Sequence, residues 1–453
     1  MSDRAASLSG VPGFLRPLVS LARSGTLGGV FLILASAVAL LWANSPWRDA
    51  YLAVLDFPIV VGFGSWVLEM EALHWINDLL MAFFFLLVAM GIKRELLTGE
   101  LSSLSKAFLP LFAALGGMLV PAALFSLVAS GGEAARGWGV PMATDIAFAI
   151  GVLRILGNRI PRGLFAFLAA LAIIDDLGAI VVIALFYSST LSWAALGSAA
   201  LATAVLVAMN RFQVRRPGLY ILVGLPLWIA ILNSGVHATI AGVIVAFCIP
   251  ARGRAVARGQ LLEESQALGR VLSDPGAAAD QVDVAAGALR ETTKKLESPL
   301  AALERAIAPY VNFLIVPLFG LANAGVGLVV ATPLILLKPA ALGVIVGLVF
   351  GKPIGVIGAT LLTVKLKITQ IPDGVGRRHM IGAGVLAGIG FTMSLFVAGL
   401  AFEPNSLLHT ETKVGILTGS IIAGTAGYLV LRSAPAVREA DESEGHRAAG
   451  GMG

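Results

Sequence analysis

Two adjacent carboxylates, Asp175 and Asp176, sit in the middle of an apolar run from about Leu164 to Tyr187 that carries no other charge. The run, centred on Leu171-Ala-Ile-Ile-Asp-Asp-Leu-Gly-Ala-Ile180, is long enough to cross a bilayer as a helix. Ionisable groups at that depth are costly, and they persist where they pair or line an ion or proton path. The competing reading is a structural salt bridge, or a helix that does not span. The rest of the chain must say what these two acids hold.

Composition settles the solvent. Of 453 residues, 57% are hydrophobic and only 13% are charged, with a mean hydropathy of +0.89. A soluble domain carries about 25% charged residues. The chain therefore reads as an all-α integral membrane protein with lipid around it and no nucleic-acid partner. The single cysteine, Cys248, lies in an apolar segment and reads as a small buried hydrophobe. It excludes a disulfide framework and a cysteine metal site. The first apolar run exceeds a signal-peptide core, so it is expected to be a retained helix.

Apolar runs of spanning length predict twelve transmembrane helices, at about 25–43, 75–92, 107–129, 138–156, 164–187, 191–210, 217–232, 234–250, 309–329, 340–363, 380–401 and 413–432. With both termini in the cytoplasm, the inner loops and tails hold 27 of the 32 Lys and Arg residues. The outer loops hold 4, and Lys352 is left inside a span. That asymmetry is the one membrane topology demands.

The organisation expected is a cytoplasmic N-tail at 1–24, spans one to eight at 25–250 and an inner loop at 251–308. Spans nine to twelve follow at 309–432, then a disordered cytoplasmic C-tail at 433–453. Between spans one and two, Phe57-Pro-Ile-Val-Val-Gly-Phe-Gly-Ser-Trp-Val-Leu68 suggests a small outer β-hairpin. An exposed apolar hairpin offers an edge to a second copy, hence a homodimer, though it also suits a loop packed on its own helices. In the inner loop, Asp280–Leu296 reads as a helix and Ser298-Pro299 as the cap and first residue of another.

Span four contains Pro141, then Thr144 and Asp145, and a proline followed by polar side chains in mid-membrane suits an interrupted helix. Span eleven carries Gly382, Gly384, Gly388 and Gly390 ahead of Phe391-Thr-Met-Ser394, which suits either an interruption or very close packing. Interrupted spans in corresponding places of two halves point to inverted-topology repeats. Span ten adds Lys352 in Gly351-Lys-Pro353. One lysine and three intramembrane carboxylates form a coupled titrating cluster, whose apparent pKa values belong to the group. Sodium and lithium are hard cations that need an ionised carboxylate, and a proton neutralises the same group. Competition for one site plus alternating exposure makes an exchanger.

These motifs resemble a known family. Ala143-Thr-Asp-Ile-Ala-Phe-Ala149, Ala172-Ile-Ile-Asp-Asp-Leu-Gly178, Ser234-Gly-Val-His-Ala-Thr239, Leu321-Ala-Asn-Ala-Gly325, Gly351-Lys-Pro353 and Gly388-Ile-Gly-Phe-Thr-Met-Ser394 are similar, in order, to the bacterial NhaA-type sodium/proton antiporters. The inverted-repeat pattern is that family's own, so it is no separate support. The resemblance implies two broken, crossing helices at spans four and eleven. It also implies an electrogenic, pH-regulated exchange of cytoplasmic sodium or lithium for more than one external proton per cation. No cofactor is implied, only the transported ions, in a bacterial inner membrane.

By motif, Asp176 resembles the principal cation ligand, and Asp175 its partner and the acceptor of Lys352. Thr144 and Asp145 resemble the residues at the helix crossing, where Asp145 offsets positive helix ends and helps to bind the ion. Pro141, Gly388, Gly390 and Asp78 are taken as structural. Glu95 and Glu304 resemble acids of a cytoplasmic funnel that responds to pH, and His237, placed in span eight, resembles a pH-linked histidine. The chain departs at Gly91, Arg305 and Ala308, where the family has an acid and histidines, and by an insertion at about 257–297. An intramembrane aspartyl protease does not fit, because it wants acids converging from separate helices. The remaining alternative is a sodium-coupled symporter of a small organic anion.

Overall fold

The computed structural model describes residues 27–64, 66–188, 191–252, 258–274, 278–327, 333–372, 374–404 and 406–435. The N-tail at 1–24 and nearly all of the C-tail therefore lie outside the described residues. The chain divides into a larger compact unit (1–84, 95–189 and 310–453) and a smaller one (85–94 and 190–309).

The larger unit opens with α1 (Leu27–Ala43) and α2 (Arg48–Leu55), which are bent by 119° from one another. The span expected at 25–43 corresponds to α1, and α2 turns away from its end. An antiparallel hairpin follows, β1 (Pro58–Phe63) with β2 (Trp66–Glu71), in register Pro58↔Glu71 to Phe63↔Trp66. Its Ile59, Val60, Val61 and Val67 are exposed. A π-helical segment, Trp75–Leu80, leads into α3 (Met81–Thr98), whose residues 85–94 belong to the smaller unit. Then come α4 (Leu104–Val128), a 3-10 segment (Gly132–Met142), α5 (Ile146–Leu156) and α6 (Arg162–Phe186).

The smaller unit holds α7 (Trp193–Arg211), α8 (Pro217–Leu232) and α9 (Ile240–Cys248), then α10 (Arg258–Ser273) packed on α11 (Ala279–Leu296). Next is α12 (Pro299–Tyr310), whose N-cap Ser298 accepts from the Ala301 amide at 3.1 Å. Chain 233–239 is not helical. The Ser234 hydroxyl closes a turn on Ile231 O at 2.7 Å, and Gly235 has φ of 84°, a left-handed backbone that ends a helix. Span eight is therefore shorter than expected, and His237 stands in the loop before α9.

The larger unit resumes with a π-segment (Val311–Ile315) and α13 (Val316–Asn323). That helix stops at Asn323, short of the expected 329, because other groups take its end. The Tyr51 hydroxyl donates to Leu321 O at 2.8 Å, and the Asn44 amide to Val326 O at 2.7 Å. The remaining elements are α14 (Pro339–Val346), a π-segment (Gly347–Gly351), α15 (Lys352–Lys365), α16 (Arg377–Leu386), α17 (Phe391–Ala401) and α18 (Leu407–Arg432). Among the described residues, eight helices are long and apolar enough to cross a membrane, or ten if each of two bent pairs is one span. With 16 residues, α8 falls short of that length, and α9 has 9.

Helices α4 and α15 meet backbone to backbone. A Cβ on Gly355 would fall 2.5 Å from the Gly116 carbonyl carbon and 3.0 Å from the Gly117 nitrogen. Small residues permit such an approach where lipid supplies no hydrophobic drive. Gly355→Val is expected to lower thermal stability by about 1–3 kcal/mol or prevent folding, the cost of overpacking. Thermal unfolding in detergent checks this, with Gly358→Val, which meets nothing within 4 Å, as the neutral control.

Candidate functional site

Two interruptions face each other inside the larger unit. After the 3-10 segment that contains Pro141, residues 143–145 run without helical structure into α5, and residues 387–390 separate α16 from α17. The Asp145 amide donates to Ile389 O at 2.6 Å, and the Thr144 hydroxyl to Ala387 O at 2.8 Å. The Ser394 hydroxyl donates to Val140 O at 2.8 Å. Each interruption thus supplies partners for backbone groups that the other leaves without helical ones, as an apolar surrounding requires.

Asp145 then caps two helices at once. Its Oδ1 accepts from the Phe148 amide of α5 at 3.1 Å. Its Oδ2 accepts from the Thr392 amide of α17 at 3.1 Å and from the Thr392 hydroxyl. Both helices aim the positive ends of their dipoles at this carboxylate. Gly388 and Gly390 are needed for the approach, since a Cβ would strike Leu348 O at one and the Ser394 hydroxyl at the other.

The second part of the site lies on α6 and α15. Asp175 and Asp176 are each 1% exposed and Lys352 is 0% exposed. Lys352 Nζ is paired with Asp175 Oδ2. The π-segment just before Lys352 shifts its backbone N–H to Gly347 O, so the lysine leaves at an angle a regular helix would not give. Adjacent helical residues point about 100° apart, so the carboxylate next to the ion pair faces elsewhere. Asp176 Oδ1 is buried and has no hydrogen-bond partner among the described residues. Among those residues no three acidic, histidine or cysteine side chains converge as a metal cage. Of the three acids, Asp145 is used by helix caps and Asp175 by a lysine. Asp175 and Asp176 each keep a buried oxygen with no hydrogen-bond partner among the described residues, and of the two Asp176 is the one not paired with a lysine.

The structure gathers Pro141, Thr144, Asp145, Asp175, Asp176, Lys352, Gly388 and Gly390 in this unit. Of the other candidates, Asp78 and Glu95 belong to the same unit, and Glu304 and His237 to the smaller one. Asp78 is in the Trp75–Leu80 π-segment, beside an amide pair in which Asn323 donates to Asn77 at 2.8 Å. Glu95 is in the last turn of α3, with its carboxylate over Gly99. In the smaller unit Glu304 pairs with Arg94, and Arg305 with Glu297. Thr392 and Ser394 were read only as part of a motif. Their hydroxyls at the start of α17, opposite an interrupted partner, were the available signal for a bonding role.

Sequence comparisons agree with one another. The model of a family described as Na+/H+ antiporter 1 matches residues 20–431. A protein of Koribacter versatilis named Na(+)/H(+) antiporter NhaA is 43% identical over 435 residues, covering 95% of this chain and 94% of its own. One of the same name from Oleidesulfovibrio alaskensis is 47% identical over 410 residues, covering 89% and 91%. A solved sodium proton antiporter of Methanocaldococcus jannaschii, MjNhaP1, aligns over 93% of this chain at 14% identity with a TM-score of 0.43, too distant to bear on the site. With at least eight apolar helices of spanning length, this is a multi-pass membrane protein, and the chain belongs to the Na+/H+ antiporter 1 family.

Proposed function

We propose that the chain exports cytoplasmic sodium or lithium in exchange for external protons, electrogenically and under pH control. The observation that carries this reading is Asp176, a buried carboxylate with an unpartnered oxygen beside the Lys352–Asp175 pair. A dehydrated sodium ion needs that carboxylate ionised, and a proton fills the same need when the ion leaves. Binding of one excludes the other, so alternating access couples the two fluxes without a separate linkage device. In this reading Asp176 is the principal ligand, Asp175 joins it when Lys352 lets go, and Thr144 borders the site. Asp145 holds the crossing together.

The architecture that goes with it is twelve spans in inverted repeats, with spans four and eleven as the broken, crossing helices. It sits in the bacterial inner membrane with both termini inside. Moving more than one proton in per cation out carries net positive charge inward, so the membrane potential drives export. Glu95, Glu304 and His237 are proposed to tune the response to pH. The exposed edge of the β1–β2 hairpin is proposed to pair with a second copy.

Purified protein in proteoliposomes with a pH-sensitive dye tests the reading. Sodium or lithium, but not potassium, is expected to move protons, and the rate is expected to change when the potential is clamped. Proton movement indifferent to potential would remove electrogenicity and keep the exchange. No response at any pH would remove the exchange and favour a sodium-coupled symporter.

A further inference from the structure

The Lys352 ammonium has three N–H donors, and among the described residues its hydrogen-bond partner is Asp175 alone. It lies against α4 at a place where side chains are missing. A Cβ on Gly117 would be 3.7 Å from Lys352 Cδ, 3.9 Å from Nζ and 2.8 Å from Val356 Cγ2. Four residues on in the same helix is Pro121. Proline has no N–H, so the Gly117 carbonyl lacks the donor a regular helix would give it. A buried ammonium with donors beyond its one carboxylate partner therefore adjoins a helix segment in which the Gly117 carbonyl has no i+4 N–H. A donor and an acceptor are each expensive to leave unmet in an apolar interior.

Resting on the exchange reading, the geometry points to a second place for the lysine. We propose that the Gly117 backbone receives the Lys352 ammonium when a cation or proton takes Asp175. In this step the Nζ–H···Asp175 hydrogen bond breaks and an Nζ–H···O=C bond to Gly117 forms. Nothing covalent changes. Gly117 is a positioning residue: it gives the ammonium somewhere to go, so releasing Asp175 does not strand a buried charge. Pro121 keeps the acceptor open.

The test uses the full chain in proteoliposomes, with Val356→Ala as the reference because it removes the one crowded contact. Gly117→Ala in that background fills the space beside Nζ with a methyl group. It is expected to slow sodium-driven proton movement about tenfold, the scale of one lost hydrogen bond to a charged group. Its pH profile is expected to shift, with the sodium KM less affected than the maximal rate. Pro121→Ala, which gives the Gly117 carbonyl an N–H, is expected to move rate and profile the same way. A double variant matching Val356→Ala in rate and pH profile overturns the proposal, whether or not Pro121→Ala folds. If the reference protein moves no protons on sodium, the exchange reading alone fails. The melting temperature against pH then decides, a profile altered between Val356→Ala and the double variant supporting the second place and an unaltered one overturning it.

Discussion

Asp176→Asn is expected to bring sodium-driven proton movement below about one per cent of the unaltered protein, a barrier change of about 2.7 kcal/mol or more. The size follows from how the other acids are occupied. Asp145 spends both oxygens on the caps of α5 and α17, and Asp175 is held by Lys352. Asp176 Oδ1 has no protein donor among the described residues, and the other carboxylate oxygen of the site in that position, Asp175 Oδ1, belongs to an acid already paired with a lysine. Asparagine has the same shape, so packing around α6 survives, but it carries neither the charge a hard cation needs nor a proton to exchange. Melting temperature and membrane insertion are expected to hold or improve, because an ionisable group is removed from an apolar interior. Proteoliposome exchange with parallel thermal unfolding checks both halves. Sodium-dependent proton release that persists would move the ligand role to another residue.

The charges of this site were legible because the background is so plain. In a run with no other charge, Asp175 and Asp176 cannot be overlooked, and neither can a lysine between Gly351 and Pro353. Pro141 marked one helix interruption for a local covalent reason, the missing N–H. What the sequence withheld depends on residues far apart in it. Thr392 reaches Asp145 across 247 positions, and no periodicity announces that one carboxylate will cap two helices. The π-segment that aims Lys352 leaves no mark in Gly347–Gly351 beyond small and apolar residues. Span eight was overrun for a related reason. Hydropathy counts Gly235 and Val236 as apolar, while the positive φ of Gly235 and the Ser234 turn break the helix there. Nothing in the sequence marks Gly117, because its consequence depends on Lys352, 235 positions away.

Lys352→Ala is expected to destabilise the protein more than any other single change at the site. Removing one partner of a buried ion pair leaves the other charge uncompensated, which costs about 3–5 kcal/mol. The missing side-chain stem adds a cavity beside α4, since Lys352 is fully buried and its Cδ lies near Gly117. The two costs separate by their pH dependence. The cavity is the same at every pH. The stranded charge exists only while Asp175 is ionised, so the gap in melting temperature is expected to widen as pH rises and to narrow in acid, where a neutral carboxyl needs no cation. A gap constant across pH would mean the lysine serves packing alone, and no gap would mean the pair is not formed in solution. Exchange carries the same signature. Without Lys352 to compete for Asp175, the site loses one titrating member of its cluster. The pH profile of sodium-driven proton movement is therefore expected to shift, and its response to a clamped potential to weaken. If stability falls with rising pH while the transport profile and its voltage dependence stay put, Lys352 braces the site and takes no part in its charge movement.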